Sequence, residues 1–359
     1  MKIAIVGLPN SGKTTVFNAL TRKTAETAAF SSGRLAPNLA SVKVPDPRLD
    51  VLANIYKPHK LTAAEVQYVD VSGFKGEEQG TELSAEILGY IGTADALLHV
   101  VRAFEDESVP HPSGAVNPEA DLGGVDLELI FSDLVIIERR LERLEKELKK
   151  TSGQEKNVKI DERNVLLRLK ESLEKERPIR DLELTSQEEK LIRGYPLLSQ
   201  KPVLVVLNIG EEQLSAPPNL EYHHSKSLVV PLSGKIEEEL TQLEETDARE
   251  FMENLGIQAP ARDRVIASSY ALLGLISFLT VGEDEVRAWT ICQGAVAVEA
   301  GGVIHSDIER GFIRAEVISF ENLVESGSMA SARKQGLVKL EGRQYVLQDG
   351  DISHFLFNV

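Results

Sequence analysis

The sequence predicts an α/β protein with a doubly wound, mostly parallel sheet, an inserted helical hairpin and a small α+β module near the carboxyl end. Short apolar runs alternate with helix-like segments, and two more such runs follow a long helical stretch. Near residue 280 the pattern changes to that of strands. In an open parallel sheet, ligands bind beyond the carboxyl ends of the strands, so we expect the functional site there.

Five apolar runs are predicted as the buried strands of this sheet, since parallel strands covered on both faces read as nearly continuous apolar segments. They are residues 2–6, 65–70, 96–101, 202–208 and 227–233. The α/β domain is therefore assigned to residues 1–125 and 200–278.

Residues 126–199 are assigned to an inserted helical coiled-coil domain. Apolar residues at alternating spacings of three and four predict a coiled-coil seam, and they are Leu127, Ile130, Leu134, Ile137, Leu141, Leu144 and Leu148. The segment "TSGQ" interrupts this pattern, which Leu166, Leu169 and Leu173 resume, so we expect an antiparallel hairpin. "TSQE" (185–188) predicts a capping box at the start of another helix.

Residues 279–359 are assigned to the small α+β module, with one or two short helices. "EVRAWTIC", "FIRAEVI" and "YVLQDGDISHFLFNV" have the composition of strands, and Asp-Gly in the last predicts a hairpin. Cys292 is expected to be a buried core thiol. His305, Asp307 and Glu309 could be read as metal ligands, but their spacing favours structural hydrogen bonds.

Composition limits the function classes. The chain is 42% hydrophobic and 27% charged, as in soluble globular proteins, and its net charge of −16 does not favour nucleic-acid binding by the whole surface. A single cysteine excludes an internal disulfide. The first residues lack a signal-peptide pattern, and the longest apolar stretch (271–281) is too short for a bilayer. We expect a cytoplasmic protein without a membrane anchor.

"GLPNSGKTT" (7–15) matches the phosphate-loop pattern G-x-x-x-x-G-K-[ST] between a predicted strand and a predicted helix. Its glycines allow the backbone to wrap around phosphate, Lys13 would reach the β- and γ-phosphates, and the Thr14 hydroxyl would hold Mg²⁺. The residues assigned to the nucleotide here are Asn10, Ser11, Gly12, Lys13, Thr14 and Thr15.

A second element, "VQYVDVSG" (66–73), ends a predicted strand in Asp-x-x-Gly. Asp70 would hold a water on Mg²⁺, and the Gly73 amide would meet the γ-phosphate. Many GTPases next carry a glutamine that orients water, but here Phe74 follows, so hydrolysis must be slow or use another group. His111, in a loop after the strand at 96–101, is the candidate; the alternative is a surface histidine.

The base site departs from the GTPase pattern Asn-Lys-x-Asp. The chain reads Asn208-Ile209-Gly210-Glu211, and Glu211 is one methylene too long for the guanine geometry. Ile209 would offer apolar contact, and the Asn208 amide could complement the adenine edge. In "PLSGK" (231–235), the backbone near Ser233 and Gly234 would border the base. We predict adenine.

Together these residues resemble the YchF family of Obg-like ATPases, within the translation-factor class of P-loop proteins. "GLPNSGKTT", "VKVPDPRLDVLA", "HVVRAF", "NIGE", the inserted coiled coil and the block from "EVRAWTIC" to "DGDISHFLFNV" carry the resemblance over nearly the whole chain. It implies Mg²⁺-dependent ATP binding and hydrolysis, a histidine in the loop matching "PHPSG" that assists hydrolysis, and ribosome association. The carboxyl-terminal block resembles the family's TGS domain, a ubiquitin-like β-grasp module.

Two features depart from the family. Arg34 stands where the family's first switch carries a threonine, with Ser31 or Ser32 as substitutes, and the stretch after Asp-x-x-Gly is shorter. We expect these changes to affect the hydrolysis rate more than the nucleotide pocket.

The resulting expectation is a slow Mg²⁺-dependent ATPase that switches contacts with a ribosome through its hairpin and TGS domain. Local basic residues are the candidates for rRNA contact: Arg139, Arg140, Arg143, Arg333, Lys334, Lys339 and Arg343. Two alternatives stay open, a GTP-hydrolysing ribosome factor and a non-hydrolysing adaptor that nucleotide merely stabilises.

Overall fold

The computed structural model describes residues 1–22, 38–71 and 85–358. The strands are β1 (Lys2–Val6), β2 (Asn38–Lys43), β3 (Lys60–Thr62), β4 (Glu65–Asp70), β5 (Ala96–Arg102), β6 (Val203–Asn208), β7 (Ser227–Leu232), β8 (Leu275–Thr280), β9 (Glu285–Cys292), β10 (Phe312–Ile318), β11 (Lys339–Glu341) and β12 (Ile352–Phe357). The helices are α1 (Lys13–Thr21), α2 (Pro47–Tyr56), α3 (Ala85–Gly92), α4 (Pro118–Leu148), α5 (Gly153–Glu174), α6 (Ser186–Ile192), α7 (Gly234–Gln242), α8 (Glu245–Asn254), α9 (Ala261–Leu272), α10 (Ala297–Ile304), α11 (Ser306–Gly311), α12 (Phe320–Ser326) and α13 (Met329–Lys334).

The chain forms two compact units. The first contains Met1–Ala40 and Gln67–Val265, and the second contains Ser41–Val66 and Ile266–Val359. No helix within the described ranges is long and apolar enough to cross a membrane.

A six-stranded sheet organises the first unit, in the order β2-β4-β1-β5-β6-β7. β1 pairs in parallel with β4 and β5, and β5, β6 and β7 continue the parallel arrangement. All residues of β5 and β6 are buried, which explains why both read as continuous apolar runs. The five predicted strands and the α/β class are confirmed. The carboxyl ends of β1, β4, β5 and β6 point to one edge, where the candidate site lies.

α4 and α5 form the helical hairpin. α4 begins at Pro118 and is capped by Asn117, whose side chain accepts a hydrogen bond from the Ala120 amide. Ion pairs between the helices run in antiparallel order, since Arg140 meets Glu162 and the later Glu147 meets the earlier Lys159. Six residues of the predicted seam are buried, namely Ile130, Ile137, Leu144, Leu166, Leu169 and Leu173. The other four, Leu127, Leu134, Leu141 and Leu148, are half-buried, and Val165 joins the buried cluster.

α6 begins with the capping box that the sequence predicts. The Thr185 hydroxyl accepts from the Glu188 amide, and the Glu188 carboxylate accepts in return from the Thr185 amide. This prediction is confirmed.

The second unit contains a six-stranded sheet in the order β11-β10-β12-β8-β9-β3. The predicted Asp-Gly hairpin is wrong: Asp349 and Gly350 form a turn before β12, but β12 pairs with β10 and β8. The turn is instead bound to β8, because Asp349 accepts from the Ser277 amide and the Gly350 amide donates to the Ser277 carbonyl. Four short helices, α10–α13, replace the one or two expected.

Cys292 also differs from its prediction. It ends β9 and is exposed rather than buried. The alternation of buried side chains at Val286 and Ala288 does not continue to the end of β9, because Ile291 rather than Thr290 is buried, and Cys292 at the last position lies outside the core. His305 has the predicted structural role, because its Nδ1 accepts a hydrogen bond from the Asp307 amide at the start of α11.

Residues 41–66 are part of the second unit, whereas the sequence placed them in the α/β domain. β3 extends the second sheet by pairing in parallel with β9. Arg48, in α2, lies between Asp46 and Asp349 at 2.8 Å from each carboxylate, and both acids raise the pKa of its guanidinium. The pairing of β3 with β9 and of Arg48 with Asp349 joins segments that are distant in the chain, and sequence periodicity contains no information on it.

The division of the chain into three domains stays a prediction.

Candidate nucleotide-binding site

The phosphate loop lies between β1 and α1 and depends on backbone conformations that favour glycine. Gly7 has φ 145° and Gly12 has φ 91°, both in the left-handed region. A Cβ at Gly7 would lie 2.4 Å from the Val100 carbonyl oxygen. Asn10 also has a positive φ of 62°, which asparagine tolerates better than most residues. The glycines and the asparagine of the motif at residues 7–15 therefore stand at the positions where the loop backbone has a positive φ.

Lys13 is nearly buried beneath this loop. Its ammonium group donates to the carbonyl oxygens of Gly7 at 3.0 Å and Leu8 at 2.8 Å. These bonds hold the charged end of the side chain against the concave backbone, where an incoming phosphate would meet it.

Thr14 and Asp70 meet at the edge of the site. The Thr14 hydroxyl donates to the Asp70 carboxylate at 3.1 Å, across 56 residues of sequence. Asp70 ends β4 and is almost fully buried, at 1% exposure. The structure thus brings together the two residues that the sequence assigned to the metal.

Ser11 adds a polar group to the loop. It is buried, and its hydroxyl has no hydrogen-bond partner within the part of the chain that the structure describes. Buried polar groups are rarely left unsatisfied in proteins. A polar ligand in the loop would supply the missing partner.

Asn208, at the end of β6, is the central brace of the site. Its amide nitrogen donates to the Ser11 carbonyl at 2.9 Å, and its amide oxygen accepts from the Gly234 backbone at 2.9 Å. The sequence assigned this amide to the adenine edge; the structure instead uses both of its polar atoms to join the phosphate loop to α7. A Cβ on Gly12 would lie 2.2 Å from the Asn208 amide nitrogen, so this position has no room for a side chain.

Ile209 and Glu211 occupy different environments. Ile209 is 4% exposed and packs in the core with Leu207 and Leu220, so the apolar base contact predicted for it is replaced by core packing. Glu211 is exposed and begins a short 3-10 turn. The turn is fixed by Gln213, whose side chain accepts from the Gly210 amide and donates to the Ala103 carbonyl.

Ser233 and Gly234 form the start of α7, as the "PLSGK" motif suggested. Ser233 is buried at the N-cap, and Gly234 donates its amide to Asn208. A Cβ on Gly234 would lie 3.4 Å from the Thr15 methyl group, so α1 and α7 approach closely here. The amino ends of two helices, which carry partial positive charge, therefore lie beside the phosphate loop.

The His111 loop contacts the phosphate loop through Asn10, whose side chain donates to the Pro110 carbonyl at 3.0 Å. His111 itself is held by its own loop and by the first turn of α4. Its Nε2 lies 2.9 Å from Asp121, and its Nδ1 lies 2.8 Å from the Ser113 hydroxyl. The side chain is only 4% exposed. To act on a water, His111 would have to give up one of these partners.

Arg102 organises the chain that leads to His111, and sequence reasoning missed it. Its buried guanidinium donates to the carbonyls of Phe104 at 3.1 Å, Asp106 at 3.3 Å and Val109 at 2.9 Å. The sequence feature that could have revealed Arg102 is a charged residue at the end of the largely apolar strand "ALLHVVR". No comparable sequence feature marks Asp121, the partner of His111.

Gly73, Phe74, Ser31, Ser32 and Arg34, which the sequence placed in the switch regions, lie outside the described residues.

The site has a phosphate loop after the first strand, a hydrogen-bonded Thr14–Asp70 pair at its edge and an asparagine brace after β6. These features define a P-loop nucleotide-binding protein of the GTPase-like class. Family comparisons agree. A family model described as 50S ribosome-binding GTPase matches residues 2–122, and the YchF-GTPase_C model, described as a protein of unknown function, matches residues 275–358.

Relatives match along the whole chain. The ribosome-binding ATPase YchF of Bacillus subtilis is 42% identical, over 99% of this chain and 98% of its own length. Obg-like ATPase 1 of Caenorhabditis elegans is 34% identical, over 100% of this chain and 92% of its own. The solved structure of the Schizosaccharomyces pombe YchF GTPase is 32% identical with a TM-score of 0.87, covering 99% of this chain and 97% of that one. The chain belongs to the YchF family, which confirms the resemblance seen in the sequence.

Proposed function

We propose that this protein binds ATP with Mg²⁺, hydrolyses it slowly and uses the nucleotide state to control association with ribosomes. The observation that carries the proposal is the Asn208 brace, which holds the phosphate loop and the start of α7 in one arrangement. Nucleotide would lie along these elements, with phosphates over Lys13 and the base near Ser233 and Gly234.

The adenine preference rests on the carboxylate at position 211. Guanine offers a pair of N–H donors, which the aspartate of GTPases accepts; Glu211 is longer and exposed. The Asn208 amide is committed to backbone groups and therefore contributes to the position of the pocket rather than to base selection. Loss of the guanine acceptor would then favour adenine.

The residues at the edge of the site fit Mg²⁺. The Thr14 hydroxyl and the Asp70 carboxylate supply the hard oxygen ligands that this ion prefers, and the ion would neutralise charge on the β- and γ-phosphates. Lys13 would contribute a second positive charge from the loop itself.

His111 is the proposed hydrolysis-assisting residue. The Asn10–Pro110 hydrogen bond places its loop against the phosphate loop, and Arg102 holds the preceding backbone. His111 would accept or orient the attacking water once it leaves Asp121 or Ser113. The need to break one of these bonds is consistent with a slow basal rate.

Steady-state phosphate release tests the proposal. The wild type should release phosphate from Mg²⁺·ATP, and Lys13→Ala should reduce the rate to background. Equal rates for the two proteins would instead support the non-hydrolysing adaptor, in which nucleotide only stabilises the fold.

A GTP-hydrolysing factor is the second candidate. It is favoured by the match of residues 2–122 to a family described as 50S ribosome-binding GTPase and by the name of the S. pombe relative, a YchF GTPase. It differs from the first proposal only in the base, so direct comparison of the two nucleotides decides between them.

Ribosome association is proposed from the bacterial relatives, which are named ribosome-binding ATPases. It would take place in the cytoplasm. On the hairpin, Arg139 and Arg143 are exposed, whereas Arg140 is neutralised by Glu162 and Glu147. In the second unit, Arg333 is paired with Glu316. Lys334 and Lys339 are also exposed, and Arg343 donates to the Phe312 carbonyl. We propose Arg139 and Arg143 as the candidates for rRNA contact on the hairpin, and Lys334 and Lys339 as those in the second unit.

A further inference from the structure

A cavity of about 340 Å³ lies at the ends of α1 and α7 that are farthest from the nucleotide site. Arg22, which follows α1, and Leu240, in the last turn of α7, both line it. α8 and the start of α9 complete the wall. α1 and α7 each have nine residues, so about 13 Å of helix separates the cavity from the phosphate loop.

The cavity has a positive lining in an acidic protein. Arg22, Arg249 and Arg262 all line it, although the chain as a whole carries a net charge of −16. Of the residues that the structure describes, none with an acidic side chain lines this cavity. Arg262 has two neighbouring acids. Asp263 lies at 3.3 Å, but its carboxylate is 43% exposed and screened by water, and Glu237 is buried on α7 and interacts with the charge of Arg262.

α8 shows how the sequence separates the two kinds of charge. Its acidic residues Asp247, Glu250 and Glu253 are exposed, while Ala248 and Met252 are half-buried on the side that faces the cavity. Arg249 lines the cavity from the same helix. Arg22 and Arg249 are exposed and Arg262 is half-buried, so an anion arriving from solvent would meet these guanidinium groups at the opening of the cavity.

The remaining surface of the cavity is apolar. Leu240, Met252 and Pro260 contribute carbon atoms, and the volume is at the small end of the range of about 300–1,000 Å³ that holds small-molecule ligands. Guanidinium groups bind carboxylate, sulfonate or phosphate oxygens through paired hydrogen bonds. The cavity therefore combines recognition of an anionic head with room for an apolar body.

We propose that this cavity is a second ligand site, separate from the nucleotide site, which binds a small organic anion with an apolar group. Arg22, Arg249 and Arg262 bind the anionic head, and the body packs on Leu240 and Met252. The same two helices connect the cavity to the nucleotide site: they are joined midway by the Asn18–Glu238 hydrogen bond of 2.9 Å.

Fluorescence titration with anilinonaphthalene sulfonate tests the site, because this probe carries a sulfonate on an apolar ring system. The full chain is titrated in the presence of saturating ATP and Mg²⁺, and the stability of each variant is checked by thermal melting. We expect saturable binding at one site. Arg249→Glu should weaken it about tenfold or more, since a charge-assisted hydrogen bond is lost and a repulsive charge is added.

Two further variants separate the cavity from general effects of charge. Ala248→Trp fills the space without changing the arginines and should also abolish saturable binding. Arg193→Glu changes an exposed arginine after α6 and should leave the probe affinity unchanged. A probe affinity that is markedly lower in saturating ATP than in a parallel titration without ATP, or unchanged binding by folded Arg249→Glu and Ala248→Trp proteins, would overturn the proposal.

Discussion

The side chain of Asn208 donates a hydrogen bond of 2.9 Å to the Ser11 carbonyl, 197 residues earlier in the chain. Together with its bond to Gly234, this contact makes Asn208 a structural brace of the phosphate loop. The asparagine persists beside a changed base motif because its partners are backbone groups of the protein, and those are needed whichever purine is bound.

Asn208→Ala should weaken ATP binding and lower the thermal midpoint of the chain. It removes two hydrogen bonds, each contributing about 0.5–1.5 kcal/mol, so we expect a loss of affinity of roughly 5- to 100-fold in calorimetry. Gly12→Ala should act similarly, since its Cβ would clash with the same amide. Asn219→Ala, at an exposed position, is the control. ATP affinity of Asn208→Ala within twofold of wild type would refute the brace.

Glu211→Asp should increase the affinity for GTP. The shorter carboxylate would approach the geometry that accepts both guanine N–H donors, and we expect a gain of about tenfold from a good bidentate pair. Glu212→Asp, one residue along the chain, is the matched control. Calorimetry with both purines provides the measurement; an unchanged GTP affinity would show that position 211 does not select the base.

His111→Ala should lower the hydrolysis rate and leave ATP affinity unchanged. Loss of an acid–base group costs about 10²–10⁴-fold in rate, and the ring contacts Asp121 of α4 and Ser113 rather than the phosphate loop. Single-turnover phosphate release is compared with His223→Ala, whose histidine is 84% exposed. Equal rates for wild type and His111→Ala would exclude this role.

His99, in β5, should make the protein sensitive to acid. It is buried, its Nε2 has no hydrogen-bond partner among the described residues, and burial lowers its pKa to about 4. As the pH falls below about 6.5, the unfolded chain gains a proton that the folded chain does not bind, so the free energy of unfolding declines. Between pH 6.5 and 4 this single group would account for about 3 kcal/mol of lost stability.

His99→Leu should therefore show a smaller loss of stability over this pH range than the wild type. Urea unfolding at a series of pH values measures the difference, and His223→Leu is the control for an exposed histidine. Parallel pH profiles for wild type and His99→Leu would mean that His99 becomes protonated without a cost to the fold.

Arg139→Glu combined with Arg143→Glu should weaken ribosome co-sedimentation and its dependence on salt. If both side chains contact phosphate, the slope of log affinity against log salt should decrease by about two. Arg193→Glu is the matched control. An unchanged slope in the double variant would place the ribosome contact elsewhere.

The sequence predicted elements whose causes are local. β5 and β6 were visible because buried parallel strands are apolar throughout, and the hairpin was visible from its heptad spacing. The Asp349-Gly350 pair specified a turn, but not that Ser277 would bind it. The partners of Asn208 and the pairing of β3 with β9 join segments distant in sequence, so no periodicity could reveal them. The phosphate loop was predictable because one short motif contains it completely.

Calorimetric titration of the wild-type chain with ATP and with GTP, each in the presence of Mg²⁺, tests the central claim most directly. We predict one site that binds ATP at least about tenfold more tightly than GTP, corresponding to about 1.4 kcal/mol. Equal affinities, or tighter binding of GTP, would contradict an adenine-selective site and would make this chain a GTP-binding member of its class.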